Sequence, residues 1–353
     1  MPRPIQARID LDALASNLRV ARAASSARIM AVVKANGYGH GLPGVVEALQ
    51  DADGFALLDI ADGVRLREAG VTQPILLLEG FFGRDDLPVC ADYRLSCVIH
   101  SAWQLAMLNN YPQRGGLDVW LKINTGMNRL GFIAADVPRV METLRRHPAI
   151  GEITLMSHCA HADEARGVKV EQAILKDVAD FCRVPHSLAN SAALLRYPKT
   201  HGDWVRPGIM LYGASPFVDV SARHLGLRPV MTLSSRIIAT HRITAGDEVG
   251  YGALYRADKA MRVGIVACGY ADGYPRHALT GTPVLVDGEL TRTLGRVSMD
   301  MLCVDLSALP RADYNSEVVL WGEGLPVEHV AHAAGTISYE LLCALTARVP
   351  RRL

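Results

Sequence analysis

A lysine stands at the end of an apolar run in Val32-Val33-Lys34-Ala35-Asn36-Gly37-Tyr38-Gly39-His40. A lone lysine after a strand is more often solvated than reactive. Here the run delivers the amine to the end of a strand, and a glycine-flanked tyrosine follows one helical turn later. An amine so placed can lose its proton well below the free value of about 10.4 and attack an aldehyde to form a C=N link. Farther along, Ser191 in Asn190-Ser191-Ala192 and the pair Gly208-Ile209 suit a phosphate group. They offer a hydroxyl and backbone N–H groups with no bulky side chain in the way. Gly208 alone serves equally well as a turn residue.

The elements that must position these groups follow a rhythm. Eight short β-rich runs alternate with helix-like segments: 28–34, 54–58, 75–79, 95–100, 117–124, 153–158, 185–190 and 203–208. Apolar positions recur at helical spacing in the intervals 59–69, 101–109 and 137–146. Eight βα units close into a (β/α)8 TIM barrel. Catalytic groups of such barrels project from the C-terminal strand ends, and the loops after strands seven and eight often bind phosphate. Lys34, Lys122, Arg129, His158, Ser191 and the stretch Arg206 to Ile209 all fall at or just beyond strand ends. From Val230 the rhythm changes to strands at 231–238, 261–268, 283–286, 290–297, 302–306 and 317–321, with helices at 327–334 and 339–347. Asp287-Gly288 marks a hairpin. The expected organisation is a barrel domain over 1–229 and a mostly antiparallel β domain over 230–353.

Composition narrows the function. A net charge of +1 with half the residues apolar fits a soluble globular protein. Lys and Arg are scattered, which argues against nucleic acid. The densest basic group, Arg348 with Arg351 and Arg352, is expected to be a solvated tail. The sequence lacks an apolar run long enough to span a bilayer and a signal peptide, so the cytoplasm is the expected location. Seven cysteines without C-x-x-C spacing or zinc-type histidine partners read as buried free thiols, with no metal site.

Taken together, the motifs resemble the alanine racemase family, fold-type III enzymes that use pyridoxal 5'-phosphate, over essentially the whole chain. Besides the lysine motif, the sequence carries Lys122-Ile123-Asn124-Thr125-Gly126-Met127-Asn128-Arg129-Leu130-Gly131, Val205-Arg206-Pro207-Gly208-Ile209 and Gly250-Tyr251-Gly252. Gly269-Tyr270-Ala271-Asp272-Gly273-Tyr274-Pro275-Arg276, Gly295-Arg296-Val297-Ser298-Met299-Asp300 and Ile337-Ser338-Tyr339-Glu340 follow in the family's order.

The resemblance implies that Lys34 carries the cofactor covalently and is one of two acid/base groups, with Tyr251 the other. Removing an α-proton from one face and returning one to the opposite face is most simply done by two groups on either side of the cofactor. It implies a chain from Tyr251 through His158 to Arg206 that favours the phenolate. It implies that Arg206 faces the pyridine nitrogen, which would then stay unprotonated, because a guanidinium only donates. Arg129 and the Met299 N–H are matched to the substrate carboxylate, with Asp300 beside them. Tyr38, Asn190, Ser191, Gly208, Ile209 and Tyr339 are matched to the cofactor. Tyr270, Tyr339, Arg276 and Arg296 are matched to a narrow entrance, and Lys122 to a lysine that some relatives carbamylate. The resemblance also implies a homodimer in which the β domain of one subunit covers the barrel mouth of the other, with alanine as substrate and either D-alanine supply for peptidoglycan or alanine catabolism as the role.

Three rivals share parts of this pattern. A decarboxylase of the same fold needs an acidic residue at the pyridine nitrogen, where Arg206 stands. A broad-specificity racemase tends to have a wider entrance and often a signal sequence. A carrier of the cofactor has no β domain.

Overall fold

The computed structural model describes residues 3–111 and 116–353. Eight parallel strands close a barrel in chain order: Arg28–Val32, Gly54–Leu57, Ile75–Leu77, Leu95–Ile99, Leu117–Lys122, Ile150–Met156, His186–Ser187 and Trp204–Val205. Arg28 pairs with Trp204 and Ile29 with Val205, which joins the last strand to the first. The last two strands are only two residues long; Pro185 directly precedes one and Pro207 lies two residues past the other, and neither has an N–H for the ladder. Every strand expected from the rhythm is present. Most strand positions are apolar and buried, because helices cover the outside and side chains fill the inside. Phe55, Leu76, Val98 and Leu121 are wholly buried, each stabilising the fold by about 1.5–3 kcal/mol.

The long helix Leu11–Ala24 starts where the Asp10 carboxylate accepts the Ala13 N–H at 2.8 Å, a cap contributing about 1 kcal/mol. Asn17, buried on its inner face, donates to the Leu211 and Arg228 carbonyls and ties the helix to the end of the barrel.

The second layer is an eight-stranded sheet, ordered 261–266, 302–305, 289–294, 283–286, 317–321, 231–243, 6–9 and 351–352. Asp287 and Gly288 both have positive φ, as the expected hairpin turn needs. Two strands depart from the expected organisation. Gln6–Ile9, placed by the sequence rhythm with the barrel over 1–229, pairs antiparallel with the strand Met231–Ile243 instead, Gln6 opposite Ser234 and Ile9 opposite Met231. Its alternating burial suits a half-covered sheet rather than a barrel stave. The C-terminal arginines are no solvated tail: Arg351 and Arg352 form a parallel strand against Ala7 and Arg8. Both chain ends therefore close one edge of the sheet. A small ribbon, Glu248–Val249 with Tyr255–Arg256, carries the turn Tyr251–Ala253. Among the described residues, no helix is long and apolar enough to cross a membrane.

Candidate active site

Lys34 does not end a strand. It opens a turn in which Ala35, Asn36, Gly37 and Tyr38 all have φ between 50° and 61°. Left-handed backbone costs about 1–2 kcal/mol per non-glycine residue and normally occurs at single positions, so a run of this kind marks an imposed geometry. The turn reverses the chain and holds Lys34 at the rim while Tyr38 is buried beneath it.

Behind the turn, rings are stacked. Tyr38 lies on Tyr212 with centroids 4.5 Å apart, and Tyr339 leans on Tyr38 at 6.1 Å. Burial raises the hydroxyl pKa of Tyr38 and of Tyr339 well above the ordinary phenol value, so both remain neutral donors. The Tyr38 hydroxyl reaches Gly208 so closely that a Cβ there would lie 2.6 Å from it. The Ser191 hydroxyl accepts the Gly208 N–H at 2.9 Å and the Met210 N–H at 3.4 Å. Ser191, Gly208 and Tyr38 thus form a cradle of small and hydroxylic groups that a larger residue would fill. Asn190 supports it from below. Its side chain accepts the Ala193 N–H at 3.0 Å and donates to the Cys159 carbonyl at 3.2 Å.

Across the mouth, cations gather. Lys122 is buried, and burial followed by the charges of Arg206, Arg129 and Lys34 pulls its pKa down to about 8. His158 is pushed down to about 3, first by burial and then by Arg206, Lys122, Arg129 and Lys34. It is therefore neutral at physiological pH. Arg206 is buried and donates to the Ser157 carbonyl at 2.5 Å, to the Leu188 carbonyl at 3.4 Å and to the Ser187 hydroxyl. Among the described residues no hydrogen bond links Arg206, His158 and Tyr251, and Arg206 acts on His158 through charge alone.

The sequence-selected residues fall into two groups. Lys34, Tyr38, Lys122, Arg129, His158, Asn190, Ser191, Arg206, Gly208, Ile209 and Tyr339 share the barrel end. Tyr251, Tyr270, Arg276, Arg296, Met299 and Asp300 belong to the β layer. Tyr251 is 72% exposed, Met299 53% and Tyr270 37%, and Arg276 is exposed too. Tyr251 makes no hydrogen bond or ring contact to the barrel mouth among the described residues. The turn bearing Met299 is built tightly, with the Tyr270 N–H on the Ser298 carbonyl at 3.0 Å and the Ala271 N–H on the Met299 carbonyl at 2.9 Å. Asp300, expected in the substrate pocket, is paired with Arg348 at 2.5 Å. Sequence reasoning missed the pairing of Arg348 and Arg3 with Asp272, because an ion network between distant chain ends leaves no local pattern.

The fit to a phosphate-bearing aldehyde rests on this donor set. A primary amine stands at the rim, a hydroxyl-lined cradle that only glycine permits lies behind it, and Lys122, Arg129 and Arg206 supply a positive field for an anion.

Comparison with known proteins agrees with the architecture. Residues 9–216 match the family model described as "Alanine racemase, N-terminal domain", and residues 230–353 match "Alanine racemase, C-terminal domain". A protein of Nitrosospira multiformis named alanine racemase is 56% identical over 99% of each chain. One of Klebsiella aerogenes named "Alanine racemase, catabolic" is 51% identical over 99% of each. Among solved structures, the biosynthetic alanine racemase of Pseudomonas aeruginosa superposes with a TM-score of 0.95 at 46% identity, covering 99% of both chains. That of Acinetobacter baumannii gives 0.93 at 40%, again over 99% of both. With both domain models matched and the relatives aligned over 99% of its length, the chain belongs to the alanine racemase family.

Proposed function

We propose that this protein interconverts L- and D-alanine using pyridoxal 5'-phosphate held by Lys34. The observation that carries the reading is the left-handed turn that sets Lys34 at the rim of a cationic, hydroxyl-lined mouth. When bound, the cofactor would acidify the substrate's α-carbon by drawing electrons from it. Ser191, Gly208, Ile209, Tyr38 and Tyr339 would hold its phosphate side. Arg206 would donate to the ring nitrogen and leave it unprotonated.

The chain's own groups then move the proton. The Lys34 Nζ would take or give the α-proton on one face and the Tyr251 Oη on the other. A neutral His158 can accept a hydrogen bond from the phenol of a Tyr251 brought to the mouth by a second subunit. Arg129 and the Met299 N–H would fix the carboxylate. Tyr270, Tyr339, Arg276 and Arg296 would narrow the entrance to a small amino acid.

Tyr251 and Met299 are exposed in the single chain, which supports a homodimer in which each subunit's β layer completes the other's barrel mouth. A pKa near 8 leaves part of Lys122 uncharged and nucleophilic at neutral pH, as carbamylation by CO2 requires; the modified side chain would be an anion facing Arg129. All seven cysteines are free, as suits a reducing compartment such as the cytoplasm. The relatives include both biosynthetic and catabolic enzymes, and the proposed chemistry serves either role.

Loss of optical rotation from L-alanine tests the activity. Borohydride reduction followed by mass spectrometry should place a pyridoxyl group on Lys34. An unchanged rotation, or an adduct on another residue, contradicts the proposal.

A further inference from the structure

The left-handed turn after Lys34 is bridged by its own backbone bonds, the Gly37 N–H to the Val33 carbonyl at 3.0 Å and the Gly39 N–H to the Ala35 carbonyl at 2.9 Å, and it is gripped from outside as well. Its three non-glycine residues carry a strain of about 1–2 kcal/mol each, and the motif's last residue answers it. His40 is 3% exposed, and its Nδ1 lies 3.0 Å from the Gly37 carbonyl and 2.8 Å from the Tyr38 carbonyl. Carbonyls only accept, so Nδ1 bears the proton and donates to both. Its other nitrogen, Nε2, is buried without a partner. The ring also packs on Tyr212 at 4.8 Å, on the same ring that supports Tyr38.

A second clamp comes from the far end of the chain. The Arg351 Nε donates to the Gly39 carbonyl at 3.1 Å. Its other donors go to the carbonyls of Leu345, Thr346 and Val349 at 2.9–3.1 Å. Among the described residues Arg351 has no acidic partner, and its four hydrogen bonds all go to backbone carbonyls. Gly39 meanwhile sits so close to the chain end that a Cβ would fall 2.2 Å from the Leu342 carbonyl. The final turn and strand of the protein are therefore seated on the turn that follows the lysine.

We propose that His40 and Arg351 are positioning residues for Lys34, holding the left-handed turn so that the amine meets an incoming aldehyde in one fixed orientation. This rests on the reading that Lys34 binds pyridoxal 5'-phosphate. In the bond-forming step the Lys34 Nζ attacks the aldehyde carbon, and the carbonyl oxygen leaves as water. A misaimed amine slows that step without unfolding the barrel. His40 keeps the carbonyls of the turn pointed inward, and Arg351 stops the turn from relaxing towards solvent.

The test uses the full-length apoprotein mixed with pyridoxal 5'-phosphate, reduced with borohydride at timed intervals and read by mass spectrometry at Lys34, with circular dichroism on the same samples. In His40→Leu, labelling of folded protein is expected to slow on the order of tenfold or more. In His40→Asn, whose side-chain N–H can take the place of Nδ1–H, the rate should return to within about threefold of wild type. Arg351→Met should be slowed as well, and it decides the matter if His40→Leu does not fold. Wild-type labelling rates in folded His40→Leu or in Arg351→Met overturn the proposal, as does His40→Asn labelling no faster than His40→Leu. Wild-type protein labelled at a residue other than Lys34 defeats the underlying reading instead, which separates the two failures.

Discussion

Arg348 approaches the wholly buried carboxylate of Asp272 at 2.9 Å through Nε, and its Nη2 lies 2.5 Å from Asp300. Arg3 reaches the same carboxylate from the other end of the chain at 2.7 and 3.1 Å. Asp272 also accepts the Gly269 N–H at 2.9 Å, so one carboxylate ties both chain ends to the segment that packs against Met299. Removing one partner of a buried ion network leaves charges unpaired. Asp272→Ala is expected to cost roughly 3 kcal/mol of stability, read from urea unfolding, and to raise KM for alanine more than it lowers kcat. A variant as stable as wild type would show that the network is ornamental.

Gly208 makes room for the Tyr38 hydroxyl, and a methyl group there would sit 2.6 Å from that oxygen. Gly208→Ala should weaken pyridoxal phosphate binding about tenfold, near 1.4 kcal/mol, with little change in melting temperature. Titration of apoprotein with the cofactor measures it, and unaltered affinity would remove Gly208 from the cradle.

His158 has its pKa lowered to about 3 in the folded chain, against about 6.5 in the unfolded one. Between those values the unfolded state binds more protons, so stability falls as pH drops through that window. His158→Gln abolishes this contribution. Its stability should fall less steeply than wild type between pH 6.5 and 4, by up to about 1.4 kcal/mol per pH unit. Parallel curves for the two proteins would mean that His158 does not stay neutral.

Lys122 has its pKa lowered to about 8, and a neutral amine is the form that adds CO2. Bicarbonate added to degassed enzyme should raise activity severalfold, and Lys122→Ala should abolish that response. Activity indifferent to bicarbonate argues that Lys122 remains an amine.

Tyr251 is exposed on the β layer, whereas Lys34 sits on the barrel. If two subunits share each site, inactive Lys34→Ala and Tyr251→Phe proteins, unfolded and refolded together, should regain about a quarter of wild-type activity, because half the dimers formed carry one intact site. No recovery would place both groups in one chain.

The alternation of apolar runs and helical stretches was enough to reveal the barrel, since eight buried staves and their helices are local patterns. So were Lys34, Ser191 and Gly208, because residues at strand ends gather at one barrel face whatever else the chain does. What the sequence could not show was contact between its ends. Gln6–Ile9 joins the second sheet, Arg351 grips the Gly39 carbonyl, and Arg348 meets Arg3 over Asp272. These pairings link residues hundreds of positions apart, with no period or spacing to announce them. The left-handed turn after Lys34 was equally hidden, because Ala35 and Asn36 favour other backbone angles and are held there by bonds across the turn, by His40 and by the chain end packed against them. Local pattern determined the scaffold and the reactive side chains; tertiary packing decided how those side chains are aimed, because only distant groups brought into contact can hold a strained backbone.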